Sequence, residues 1–96
     1  MDDIAVTGLS LVLTPKPNKS GDSVLAWFDC KTSEVELYGC ALVRQPGGRL
    51  KVWAPKLDAV DSGARRGVNF CNRELPATLV VKALAAYRAL GGAHGE

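Results

Sequence analysis

Four runs rich in apolar and β-branched residues, each closed by turn formers, precede one stretch with helical spacing. Residues 1–14, MDDIAVTGLSLVLT, are dominated by such side chains after Ile4 and stopped by Pro15, which predicts a strand. PKPNKSGDS at 15–23 is polar and rich in turn residues, so it reads as a loop. Residues 24–32, VLAWFDCKT, predict a second strand. After a turn near Ser33, residues 34–45, EVELYGCALVRQ, predict a third. Period-two alternation puts Glu34, Glu36 and Tyr38 on one face and Val35 and Leu37 on the other. The two runs are close enough in sequence to pair as an antiparallel hairpin.

Pro46, Gly47 and Gly48 supply the next reversal, the proline by its fixed φ and the glycines by their tolerance of positive φ. Residues 49–55, RLKVWAP, alternate Leu50, Val52 and Ala54 with Arg49, Lys51 and Trp53 and end at Pro55, giving a fourth strand. Residues 56–64, KLDAVDSGA, hold no period and read as a surface loop. GVNFC at 67–71 is a candidate for a short fifth extended piece. A helix is expected from about Pro76, with Asn72 as an upstream cap. Val80, Ala83, Leu84, Tyr87 and Leu90 would form its packing stripe and Gly91 and Gly92 its end,. The fold class is therefore α+β: an antiparallel sheet of four to five strands with one C-terminal helix. It makes a single domain over residues 1–96, with a core at about 4–91 and a frayed tail at 92–96.

The proportions of these elements raise a covering problem. A sheet of four or five strands is roughly 20 Å wide and one helix only about 10 Å across. The second and third runs carry apolar residues on both faces: Val24, Ala26 and Phe28 against Leu25 and Trp27, and Val35 and Leu37 against Tyr38, Cys40 and Leu42. Large open apolar faces mark interfaces, and a two-fold homodimer buries such a face against itself. Trp27, Tyr38 and Trp53 are its expected anchors. The competing expectation folds the first run and the loop at 55–66 over that face.

Charge adds a second asymmetry. Residues 1–48 hold four Lys/Arg and six Asp/Glu, a net −2, whereas residues 49–96 hold eight and four, a net +4. An anion-binding face must draw on the second half. No run approaches the ~20 apolar residues of a membrane span, and Asp2 and Asp3 stand where a secretory leader carries positive charge,. A cytoplasmic protein without membrane association is the expectation. Cys30, Cys40 and Cys71 are odd in number and lack C-x-x-C spacing, so three reduced, half-buried thiols are expected, with no disulfide framework and no zinc site.

Catalysis finds no constellation here. Asp58 and Asp61 stand three apart, but no histidine, phosphate-cradling glycine loop or nucleophile–base pair accompanies them, and the lone His94 lies in the tail,. No catalytic residue, cofactor, metal or small-molecule substrate is expected. Nucleic-acid binding asks for less: several cations on one rim suffice to neutralise phosphates. Lys56, Arg65 and Arg66 would meet if the loop closes on itself, and Lys51, Arg73 and Lys82 would extend the patch. Trp53 and Tyr38 are candidate stacking platforms for single-stranded bases. A protein-interaction module using the open sheet face is the alternative.

The order of parts, a hairpin VLAWFDCKTSEVELYGCALVRQPGGRLKVWAP, a basic loop ending RRGVNF and a helix finishing AYRAL, resembles the stage V sporulation protein G (SpoVG) family of septation regulators over roughly residues 4–91. Leu50, Val52, Pro55 and Lys56 are similar to that family's strand ending in a Pro-Ser-basic motif. Tyr87 and Leu90 match its closing aromatic and leucine. The resemblance implies a homodimeric, non-catalytic bacterial regulator of septation or sporulation that binds DNA, and in some members RNA, through the loop and the helix surroundings. Lys56 then looks like the basic residue after the motif's proline, and Arg65 like the arginine before a Asp-Ile-Ala-His-Pro stretch. Arg66 replaces an acidic residue there and adds positive charge. The chain departs from the pattern in lacking the serine after Pro55, in Leu57, and in Asn69-Phe70 where the family has His-Pro.

Overall fold

The computed structural model describes residues 4–55 and 68–92. Four strands, β1 (Ala5–Leu11), β2 (Ser23–Lys31), β3 (Glu36–Arg44) and β4 (Leu50–Trp53), form one antiparallel sheet in the order β1-β2-β3-β4, followed by the helix α1 (Glu74–Ala89). The fold is thus α+β, an open four-stranded sheet with a single C-terminal helix. Residues 68–71 form no strand, so the fifth extended piece is not made within them. Phe70 instead packs its ring against the core.

Turn chemistry sets the strand ends. β1 stops at Leu11, three residues short of the expected Thr14, although the Val12 N–H still donates to the Leu25 carbonyl at 2.9 Å. The connecting loop is held by Asn18, whose Oδ1 accepts from the N–H groups of Ser20 (2.9 Å) and Asp22 (3.0 Å). Gly21, at φ +86°, lies so near Pro46 that a Cβ there would sit 2.8 Å from the proline Cγ. The loop therefore rests on the β3–β4 turn. In that turn the Gly48 N–H donates to the Gln45 carbonyl (2.9 Å), with Gly47 and Gly48 both at φ +90°.

Three bulges break the simple alternation. Between Val24↔Val43 and Ala26↔Leu42, β2 advances two residues and β3 one, so an extra residue on β2 turns Leu25 and Ala26 both toward the core,. Between Phe28↔Cys40 and Cys30↔Leu37 the extra residue lies on β3. There Gly39 takes φ +85°, and its N–H donates to Asp29 Oδ1 at 2.9 Å. A third shift lies between Val6 and Gly8 in β1. Strict alternation had separated Leu25 from Ala26 and Phe28, and Leu37 from Cys40 and Leu42. The bulges bring all six to the core side. The space around Gly39 is open, so Gly39→Ala costs only the left-handed backbone. A loss of about 1–2 kcal/mol is expected in urea unfolding.

The helix is cut to length at both ends. Asn72 Oδ1 accepts from the Glu74 and Leu75 N–H groups at 3.0 and 3.1 Å, as an N-cap does,. The helix starts two residues before Pro76, which sits harmlessly in the first turn,. At the far end the Gly91 N–H donates to the Arg88 carbonyl and the Gly92 N–H to that of Tyr87, with Gly91 at φ +92°; this is a Schellman closure. Leu79, Ala83 and Tyr87, four apart, are fully buried, and α1 lies against β1, β4 and β3. The expected stripe omitted Leu79 and included Leu90, which is 55% exposed. Leu90 is the C-cap residue, where the chain has already left the helical path.

The core is one cluster on the helix side of the sheet. It joins Leu25, Ala26, Phe28 and Cys30 of β2, Cys40 and Leu42 of β3, and Val52 of β4 to Leu79, Ala83 and Tyr87. Leu9 and Leu11 of β1 close it from one edge.

Candidate functional site

Directly paired residues of neighbouring strands project from the same side of a sheet. The register Ser10↔Trp27↔Ala41↔Trp53 therefore sets two tryptophans on either side of Ala41. Beside them runs Val24↔Val43↔Lys51. None of these residues belongs to the helix-side cluster, so they form the opposite face. At its middle Ala41 and Val43 are inaccessible, whereas Trp27 is 49% exposed. Trp53 is half-buried. No helix among the described residues covers this face.

Its two ends differ in charge. Lys51 is exposed at the β4 end. At the other end stand Asp29, Glu36 and Tyr38, the last 65% exposed, with Lys31 paired across from Glu36. The negative charge of Glu36 beside Tyr38 pushes its phenol above the ordinary range, with Asp29 adding to the effect. Asp29 and Glu36 against Lys31 leave one end net negative, whereas the other carries the basic Lys51.

The expected cations do not gather on one described face. Lys51 lies on the outer sheet face, whereas Arg73 precedes α1 and Lys82 lies within it, in the other layer. Nine residues of helix rotate by a half-integral number of turns, so Arg73 and Lys82 point about 180° apart and are separated by about 14 Å along the axis. Lys56, Arg65 and Arg66 lie outside the described residues, as do Asp58, Asp61 and His94. Trp27 and Trp53 share a face, and Tyr38 stands exposed in the β3 bulge near Asp29 and Glu36; what sequence alternation missed is that Ala41 lies buried between the two tryptophans.

The thiols are less alike than expected. Cys30 and Cys40 are buried side by side in the core and Cys71 is exposed. Burial pushes the Cys40 thiol up to about 12, with Cys30 adding to the effect, and raises that of Cys30 as well. A thiol-specific reagent at pH 8 is expected to modify one cysteine quickly and the other two only on unfolding. The folded chain holds the Cys40 proton more tightly than an unfolded thiol of pKa 9.0. Stability from this group is thus present below about pH 9 and declines as pH rises from there toward 12, readable as a falling urea midpoint.

Among the described residues no group of three or more His, Cys, Asp or Glu could hold a metal ion, and no helix is long and apolar enough to cross a membrane. Comparison with protein-family models, curated proteins and solved structures returns no match for this chain. The fold defines the class: a small α+β domain with an antiparallel four-stranded sheet and one C-terminal helix, whose other sheet face carries Trp27 and Trp53 on either side of Ala41.

Proposed function

We propose that the chain is a non-catalytic regulator that binds nucleic acid, DNA or RNA, as a homodimer. The observation that carries the reading is the sheet face away from the helix, where Trp27 is half exposed and Trp53 lies beyond the buried Ala41. Its apolar middle and oppositely charged ends are self-complementary. A two-fold related copy sets the Asp29/Glu36 end of one chain against the Lys51 end of the other, as an isologous contact requires. The charge asymmetry and the resemblance to septation regulators support the nucleic-acid part of the reading. Pairing two copies doubles the number of phosphate-neutralising cations offered by the second half of the sequence, with Lys56, Arg65 and Arg66 as principal contacts.

The experiment is fluorescence anisotropy of short duplex and single-stranded oligonucleotides across a salt series, beside the Lys56→Ala/Arg65→Ala/Arg66→Ala variant. The wild type is expected to bind with a steep salt dependence. The variant is expected to lose roughly three units of that slope, about one counterion per phosphate contact. A second reading, a protein-interaction module with no nucleic-acid contact, is favoured by the scatter of Lys51, Arg73 and Lys82 over different surfaces. Absence of binding by both proteins at low salt selects it.

A further inference from the structure

A recess lies on the helix side, at the end of the sheet away from the β2–β3 turn. It encloses about 340 Å³ and is walled by Leu11, Leu13, Pro15, Leu25 and Tyr87, with Arg44 as its one charged residue. That volume is at the small end of the range for ligand sites, which are mostly apolar with a few polar groups that fix orientation.

Three observations set Arg44 apart from an ordinary surface charge. Its backbone is fixed on both sides by the ladder, opposite Ser23 and Leu50. Its side chain is half-buried among apolar walls. No described carboxylate pairs with it. Among the described residues that guanidinium meets no carboxylate to compensate for lost hydration, and its planar fork matches a carboxylate in two parallel hydrogen bonds.

The walls specify the rest of the ligand. Leu13 stands at the rim 92% exposed, an apolar surface that an occupant would cover. Gly91 and Gly92 bring no side chain to the far wall, and Gly92 packs so closely on the Tyr87 ring that a Cβ there would overlap it. We propose that this recess binds a small apolar monocarboxylate, its carboxylate on Arg44 and its hydrocarbon body against Leu11, Leu13 and Pro15. The site lies on the opposite side of the sheet from the Trp27 face and is independent of the nucleic-acid reading.

Backbone amide NMR of the full chain, titrated with octanoate, tests this. Octanoate is expected to shift the amides of residues 11–13, 25, 44 and 87–92 in a saturable way. Octanol should bind at least tenfold more weakly, and Arg44→Gln should reduce octanoate to the octanol level. The octanol comparison needs only the wild-type protein, so a poorly folded variant does not spoil the test. Equal binding of octanoate and octanol, shifts spread over the rest of the surface, or no shifts at millimolar octanoate would overturn the proposal. So would saturable binding of an acetylated peptide ending in a leucine carboxylate by a protein that ignores octanoate, which would assign the recess to a protein terminus.

Discussion

Replacing Phe28 by alanine is expected to destabilise the domain by about 3–5 kcal/mol, the usual cost of truncating a buried aromatic. Phe28 is the largest of the fully buried side chains, at 2% exposure. It stands between Leu9 and Cys40 in the register, at the centre of the sheet's core side. Bulges lie on both sides of it along β2, so strand register and core packing meet at this residue. Small domains hold about 5–15 kcal/mol in all, and the loss would take a large share of it. Urea unfolding should show the midpoint falling steeply with little change in slope. A variant within 1 kcal/mol of wild type would mean that the core is centred elsewhere.

Trp27→Ala is expected to act on association and leave folding nearly untouched. The indole is half exposed and outside the core cluster, so its removal opens no cavity in the monomer. As a central aromatic anchor of a dimer it would carry about 2 kcal/mol or more, which is a rise of about 30-fold in the dimer dissociation constant. Sedimentation equilibrium reads the constant, and urea unfolding at low protein concentration reads the monomer. Trp53→Ala should act in the same direction but less purely, because Trp53 is more deeply buried. Equal self-association of wild type and Trp27→Ala would remove this face from the interface.

Much of the architecture was legible because turn residues punctuate it strongly. Pro46-Gly47-Gly48 placed the third reversal, Asn72 the helix start and Gly91-Gly92 its end, each through a backbone requirement that few residues meet. What strict alternation could not supply was the face of each residue within β2 and β3. A bulge shifts the period by one, and neither Leu25 nor Tyr38 advertises it; Gly39 alone carried a signal, as a glycine inside a strand pattern. The Trp27–Ala41–Trp53 row depends on register across three strands, which no local pattern sets. No sequence pattern singled out Arg44, since its surroundings come from β1, β2 and the end of α1, far apart in sequence. Lys56, Arg65 and Arg66 were named from charge and resemblance, and their role rests on the binding experiments.

The most direct measurement is analytical ultracentrifugation of the chain alone and with a short labelled oligonucleotide at low salt. The account predicts a species of about twice the 10.2 kDa chain mass, and co-sedimentation of the oligonucleotide with that dimer. A 10.2 kDa monomer beside a freely sedimenting oligonucleotide would contradict it.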